Sequence, residues 1–135
     1  MPMGDEAKAD IQLYMERARL DLQAVEANLQ NGFYAVAVSR AYYAMFYAAT
    51  ALLKSIGIDR SKHSGIIAAF GQHFVKTSLI EIEFAKILTH AFNSRNDTDY
   101  DLMWMPDAEL AQTEMKDAQR FVERVERYFQ EKGEL

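Results

Sequence analysis

The stretch Ala37–Leu53, AVSRAYYAMFYAATALL, holds seventeen residues, and the only charged one among them is Arg40. Small residues recur in it at steps of four and three, which places them on one helical face: Ala37, Ala41, Ala44, Ala48 and Ala51. A bulkier row lies beside it, formed by Ser39, Tyr42, Phe46, Ala49 and Leu53. A third row carries polar tips, at Arg40, Tyr43, Tyr47, Thr50 and Lys54. A helix that is apolar nearly all round is buried on most sides, so the stretch predicts the central helix of a bundle.

The composition of the chain predicts one domain over residues 1–135. Six Gly and two Pro leave few breaks, which favours long helices. Because the sequence contains no Cys, it excludes disulfides, thiolate metal sites and thiol catalysis, and it fits a reducing cytoplasm. The N-terminal residues MPMGDEAKAD lack the apolar segment of a signal peptide, so we expect a cytoplasmic protein without a membrane span. The net charge of -5 argues against broad, non-specific binding of nucleic acid.

Two helices are predicted on either side of the central one. The first spans Asp5–Gln30 and stops at Asn31-Gly32, because Gly tolerates the left-handed conformation that follows a last turn. After the central helix ends near Gly57, a short helix is expected to hold the apolar residues between Ile66 and Val75. Ser61 or Ser64 can cap its first turn by accepting a backbone N–H bond.

Two more helices follow along the chain. The fourth begins at Ser78-x-x-Glu81, which has the form of a capping box, and runs toward Asn96. The last begins at Pro106-Asp107 and ends at Gly133. The predicted fold class is therefore all-α, an up-and-down bundle of four long helices with a short extra helix.

Arg95 and Asn96 lie at or just beyond the predicted end of the fourth helix, ahead of the acidic tract DTDYD at residues 97–101. A guanidinium group matches the oxygens of a phosphate, so one interpretation is that Arg95 holds a phosphate. The alternative is structural, with Arg95 capping the last carbonyls of its helix and pairing with a nearby Asp.

The polar row of the central helix also allows two interpretations. A buried Arg40 needs an acid or a set of carbonyls as its partner. Together with Tyr43 and Tyr47, it could instead hold a nucleobase and its phosphate. On one interpretation, His63 in the segment KHSG donates a hydrogen bond to a phosphate or acts as a general base. On the other, it is a surface or capping residue.

The sequence offers little for a metal ion. Three Asp residues alternate in the tract 97–101 as in a calcium loop, but Leu102 stands where that loop needs Gly and Ala108 where it needs Glu. We therefore interpret the tract as a solvated acidic loop. His73 and His90 lack the E-x-x-H arrangement of a di-iron bundle. No metal site and no cofactor are expected.

Three motifs together resemble the HEPN superfamily: SRAYYAMFYA in the central helix, KHSG at the third helix, and R-x4-Y from Arg95 to Tyr100. More narrowly, they resemble the small stand-alone HEPN proteins that are often encoded beside a minimal nucleotidyltransferase. The resemblance covers the chain from the first helix to Phe129. It implies a helical bundle that pairs as a homodimer.

The resemblance also implies an activity. Many HEPN domains are metal-independent ribonucleases with the signature R-x(4–6)-H, in which the Arg holds the scissile phosphate and the His supports attack by the 2′-hydroxyl. In related toxin–antitoxin pairs, the nucleotidyltransferase silences the HEPN toxin by adding AMP to a Tyr just past that motif.

On this resemblance, Arg95 matches the motif Arg, Asn96 matches the polar residue after it, and Tyr100 falls where the motif allows His or next to the modified Tyr. These three are the catalytic candidates. No His occurs after His90, so the motif imidazole is missing, and His63 would replace it only if the fold brings it near Arg95.

The candidates for binding a nucleotide or RNA are Arg40, Tyr43, Lys62 and His63. We expect a HEPN toxin-type or nucleotide- or RNA-binding component that acts with a separate nucleotidyltransferase. A degenerate ribonuclease activity would depend on a substitute for the missing His. The alternative is a non-catalytic dimeric binding module, or a scaffold for a partner protein.

Overall fold

Helix α2, Tyr34–Ser55, occupies the centre of the computed structural model, which describes residues 4–134. It contacts every other helix of the bundle, and all five residues of its alanine row are fully buried. Small side chains let neighbouring backbones approach closely, so α1 and α5 pack directly on this face. By length and composition α2 could cross a membrane, but 67% of its apolar window is buried inside the bundle.

The remaining helices confirm the predicted all-α bundle of four long helices and a short one. They are α1 (Asp5–Gln30), α3 (His63–Phe70), α4 (Ile82–Tyr100) and α5 (Ala108–Glu131). A π-helical turn, Gly71–Val75, extends α3. The predicted stops at Gly32 and Gly57 are also confirmed, because both residues adopt a left-handed backbone with φ of +78° and +76°.

The predicted serine caps are wrong. Helix α3 begins at His63 after an extended Lys62, and no side chain caps its first turn, so neither Ser61 nor Ser64 has the expected role. Helix α4 begins at Ile82, four residues after Ser78, whose backbone is left-handed with φ of +63°. Ser78 therefore ends the preceding turn instead of opening a capping box.

Long-range contacts explain why the capping box does not form. The side chain of Ile80 is buried, which pulls the segment before α4 into the core. Arg124 on α5 donates to the carbonyl oxygen of Leu79 at 2.9 Å and to both carboxylate oxygens of Glu81 at 2.8 and 3.2 Å. These bonds hold the segment in a non-helical conformation and occupy the Glu81 carboxylate that the box would need.

Helix α4 runs further than predicted. It ends at Tyr100, so Arg95 lies inside the helix instead of at its exit, and the acidic tract forms the last helical turn instead of a loop. The buried Ser94 hydroxyl donates to Glu114 Oε1 on α5 at 3.0 Å, and His90 Nδ1 lies 2.9 Å from the same oxygen. These contacts with the buried Glu114 carboxylate keep α4 helical through Asn93–Asn96, where the local sequence favours a helix end.

The start of α5 agrees with the sequence to within one residue. Asp107 is the N-cap, and its carboxylate accepts a bond from the Leu110 N–H at 2.8 Å. Pro106 precedes the cap and is buried. The α4–α5 connection therefore returns the chain to the bundle directly after the candidate residues of α4.

Candidate functional site

Four aromatic rings on consecutive turns of α2 form the floor of the candidate site. Tyr42 is fully buried, whereas Tyr43, Phe46 and Tyr47 are half-buried beside it. The Tyr43 ring centre lies 5.3 Å from that of Tyr42 and 6.1 Å from that of Tyr47. Residues four apart lie on one face of a helix, so Tyr42 pairs with Phe46 and Tyr43 with Tyr47 to form a continuous aromatic surface.

Arg95 reaches this surface from α4. Its side chain is only 17% exposed, and its Nη2 donates to the Tyr43 hydroxyl at 2.9 Å. The guanidinium carbon lies 5.4 Å from the Tyr43 ring centre, and Nε forms an ion pair with Asp99 Oδ2 at 2.8 Å. Nη1 also lies 3.4 Å from the side-chain oxygen of Asn96, a long and weak contact. Arg95 therefore points into the bundle surface and not into bulk solvent.

Arg40, on α2 itself, also contacts Tyr43. Its guanidinium carbon lies 4.7 Å from the Tyr43 ring centre, and its Nη1 donates to Asp21 Oδ1 on α1 at 3.2 Å. Burial raises the pKa of Asp21, and the charge and hydrogen bond of Arg40 oppose that shift. The guanidinium groups of Arg40 on α2 and Arg95 on α4 thus both contact the side chain of Tyr43.

His63, the first residue of α3, lies against the same aromatic surface. Its ring stacks on Phe46 with centres 4.4 Å apart, and its Nδ1 lies 2.8 Å from the Tyr42 hydroxyl. Burial and the positive charge of Arg95 both lower the pKa of His63. Burial raises the pKa of Tyr42, so the phenol stays protonated and the imidazole stays neutral near pH 7.

The fold thus brings together Arg40, Tyr43, His63 and Arg95, which we call the arginine–histidine cluster. Asn96 adjoins it through Arg95. Lys62 is exposed at the N-cap of α3, next to His63, and Tyr100 is 78% exposed at the end of α4. These two predicted residues therefore lie at the edge of the cluster and not within it.

A comparison with known protein families matches residues 11–128 to the HEPN domain. The chain belongs to the HEPN family. A similar protein of Methanocaldococcus jannaschii, named Putative toxin MJ0605, is 34% identical over 129 residues, which is 96% of each chain. A UPF0332 protein of Thermotoga maritima is 33% identical over 127 residues, covering 94% of this chain and 96% of its own.

A solved structure supports the HEPN fold. The crystal structure of TT1696 from Thermus thermophilus matches 87% of this chain and 97% of its own, with a TM-score of 0.73 and 21% sequence identity. The identity is too low to carry more than the shared fold. It agrees with the all-α bundle described above.

Several contributors to the candidate site were not among the predicted site residues, including Asp21, Tyr42, Phe46 and Asp99. Tyr42 belongs to the bulky row of α2, and a buried phenol needs a hydrogen-bond partner. That need is the one local signal in the sequence that indicates a role for Tyr42 in the site. Asp21 lies nineteen residues from Arg40 in sequence, so periodicity alone gives no reason to pair them.

The chemistry available to the cluster follows from its charges. Two guanidinium groups can donate several hydrogen bonds to one phosphate, and a neutral imidazole beside them can accept or donate a proton near pH 7. Within residues 4–134, no group of three or more His, Cys, Asp or Glu side chains is placed to hold a metal ion.

Proposed function

We propose that this HEPN chain is a toxin-type protein whose arginine–histidine cluster binds RNA phosphate. The observation that carries the proposal is that His63 and Arg95, far apart in sequence, contact the adjacent rings of Tyr42 and Tyr43. The name of the M. jannaschii relative supports the toxin-type role, since the two chains align over nearly their whole lengths.

Arg95 is the phosphate-binding residue in this proposal. Its guanidinium group already has one carboxylate neighbour, Asp99, which occupies the position that a phosphate oxygen would take. Arg40 lies over the Tyr43 ring and adds a second positive charge. A phosphate that displaces Asp99 would therefore meet charge-assisted donors from two helices.

His63 supplies the imidazole that the R-x4-Y motif lacks. When Nδ1–H donates to the Tyr42 hydroxyl, Nε2 is free to accept the proton of a 2′-hydroxyl. The 2′-oxygen then forms a bond to phosphorus, and the bond from phosphorus to the 5′-oxygen breaks. The leaving oxygen takes a proton from water, and the hydroxide that remains takes the proton from the His63 imidazolium. The products are a 2′,3′-cyclic phosphate and a 5′-hydroxyl, with no change in oxidation state.

Incubation of the purified protein with tRNA and single-stranded RNA in EDTA tests this activity. We expect Arg95→Ala and His63→Ala each to lower cleavage by roughly 100-fold or more, the range typical for loss of one acid–base or oxyanion contact. Arg120→Ala and His73→Ala are matched controls, because both residues lie outside the cluster. Wild-type protein that leaves every RNA intact refutes the nuclease branch.

A second candidate function is a non-catalytic binding module. It is favoured by the closed resting contacts of the cluster: Arg95 already donates to Tyr43 and forms an ion pair with Asp99, and the Tyr42 hydroxyl is hydrogen-bonded to His63 Nδ1. Thermal unfolding with ATP, AMP or short RNA distinguishes the two. A ligand that binds only the folded state raises Tm, and a raised Tm without cleavage selects the binding module.

We further propose a minimal nucleotidyltransferase as the partner, with Tyr100 as the acceptor of AMP. Tyr100 is 78% exposed in the last turn of α4, next to Asp99, so its hydroxyl is accessible to a second protein. Mass spectrometry after co-expression tests the assignment. We expect a gain of one or more AMP masses in the wild type and none in Tyr100→Phe; an equal gain in the variant refutes Tyr100 as the acceptor.

We also propose that two copies pair as a homodimer. The groove between α3, the π-helical turn and α4 is apolar and lined by Ile67, Val75, Ile82 and Ala85, and Ile82 is 63% exposed. A second copy would cover this surface. Sedimentation analysis should show a dimer for the wild type and a monomer for Ile82→Lys, and a monomeric wild type overturns the pairing.

A further inference from the structure

A cavity lies at the other end of the aromatic surface, between α1 and α2. It has a volume of about 460 Å³ and is lined by Asp10, Leu13, Tyr14, Arg17 and Tyr47. The volume falls within the range of small-ligand sites, roughly 300–1,000 Å³. None of these residues belongs to the arginine–histidine cluster, so the cavity is a separate feature of the molecule.

Tyr47 connects this cavity to the cluster. Its ring centre lies 6.1 Å from that of Tyr43, which bonds Arg95, and 6.1 Å from that of Tyr14 inside the cavity. The rings of Tyr14 and Tyr47 are inclined by only 31° to each other. The Arg17 guanidinium carbon lies 5.7 Å from the Tyr47 ring centre. A ligand that extends from Arg95 along α2 therefore reaches a second set of aromatic faces.

These side chains match the chemistry of a nucleobase. Proteins bind unpaired bases by stacking them on aromatic rings and on guanidinium planes, because every base has a π-face. Tyr14 and Tyr47 are half-buried, so each ring keeps an exposed part. Arg17 has its guanidinium near the same ring and can cover a stacked base from the solvent side.

Asp10 gives the cavity a preference among bases. An ionised carboxylate accepts hydrogen bonds and donates none. Guanine presents two adjacent donors on its Watson–Crick edge, N1–H and the N2 amino group, whereas uracil presents a single N–H between two carbonyl acceptors. A carboxylate at the cavity wall therefore pairs with guanine and is repelled by the carbonyl oxygens of uracil.

We infer that the Asp10–Tyr14–Arg17–Tyr47 cavity binds a guanine base of single-stranded RNA whose neighbouring phosphate lies at Arg95. This inference rests on the proposed function, because it takes the ligand of the cluster to be RNA. The net charge of -5 indicates few phosphate contacts, so stacking would contribute much of the affinity and the salt dependence would be shallow.

Fluorescence anisotropy in EDTA tests the cavity with two short labelled RNAs, one guanine-containing and one all-uracil, both 2′-O-methylated so that the proposed cleavage cannot occur. We expect Tyr47→Leu to weaken binding of the guanine RNA by roughly 5- to 100-fold, and Tyr47→Phe to retain it. Asp10→Asn should remove the preference for guanine over uracil. Arg95→Met should weaken both RNAs alike, because a phosphate contact carries no sequence information. Tyr34→Leu is the matched control, since Tyr34 lies on α2 outside the cavity.

Two results separate the cavity from the cluster. If Arg95→Met weakens binding but Tyr47→Leu binds both RNAs as the wild type does, the cavity inference is overturned while the proposed function stands. If the wild type binds no RNA, the proposed function fails, and a titration of guanosine followed by NMR of the labelled Tyr rings decides the cavity alone. No shift at Tyr14 and Tyr47 then overturns it.

Discussion

Arg95 and His63 are expected to interact electrostatically, and this can be measured without any ligand. The Arg95 guanidinium carbon lies 6.0 Å from the Tyr42 ring centre, and the His63 ring centre lies 5.7 Å from the same point. Arg95→Met removes the positive charge while keeping most of the aliphatic stem. Because the charge of Arg95 lowers the pKa of His63, the variant should titrate His63 at a higher pH than the wild type does.

The size of this effect follows from the distances. The two groups lie no more than about 12 Å apart. Coulomb's law therefore gives an interaction of at least roughly 0.35 kcal/mol with the dielectric constant of water, and at least roughly 1.4 kcal/mol with an effective value near 20. Because this interaction favours the neutral imidazole, removal of the Arg95 charge should raise the pKa of His63. Burial continues to act on the imidazole, so the pKa stays below its ordinary value.

NMR titration of the His63 ring protons between pH 4 and 9, an interval chosen to span the ordinary pKa of His at about 6.5, provides the assay. The titration is run at low ionic strength and repeated in about 0.15 M salt, where the Debye length of about 8 Å weakens the interaction. Arg120→Met is the matched control, because Arg120 pairs with Glu83 on an exposed surface. An unchanged or lower His63 pKa in Arg95→Met refutes the shared site.

Three further changes test other parts of the structure. Glu114→Gln should raise Tm relative to the wild type, because burial raises the pKa of the Glu114 carboxyl above its ordinary 4.5. The ionised carboxylate therefore destabilises the folded state increasingly as the pH rises above that value, and the gain in Tm should be larger at pH 8 than at pH 5. A larger gain at pH 5 would contradict this reasoning. Asp107→Ala should lower the free energy of unfolding by about 1 kcal/mol in urea titration through loss of the cap bond to Leu110, whereas Asp107→Asn should keep most of it. Tyr42→Phe should cost about 1 kcal/mol by the same measurement, because it removes the bond to His63, and a neutral result would mean that the bond contributes nothing in solution.

The sequence predicts most of the fold because the helices carry strong local signals. The apolar stripe of α1 and the glycine after it predict the bounds of that helix, Asp5–Gln30, correctly. The alanine row of α2 likewise predicts its buried face. The end of α4 is different. The segment Asn93–Asn96 has weak helix propensity, but Ser94 bonds the buried Glu114 and Arg95 bonds Tyr43, so contacts between helices extend α4 to Tyr100.

The candidate site is only partly visible in the sequence for the same reason. Arg40 and Tyr43 share a helical row, so their proximity follows from spacing alone. The approach of Arg95, fifty-two residues from Tyr43, depends on how α4 crosses α2. The contact of His63 with Tyr42 depends on the start of α3, where the predicted serine caps are wrong. Periodicity gives the faces of helices but not the side chains that meet across them.

The last turn of α4 is electrostatically unfavourable. It holds Asp97 and Asp99 and no basic residue, although the C-terminal end of a helix carries partial negative charge that repels carboxylates. The counter-ion of Arg95 therefore belongs to a turn that unwinds at little cost in free energy, and the same turn carries Tyr100. Any anion that displaces Asp99 from Arg95 should favour fraying of that turn, and by thermodynamic reciprocity the frayed turn should bind the anion more tightly by the same factor. An adduct on Tyr100 that frays the turn should therefore raise the affinity of Arg95 for anions.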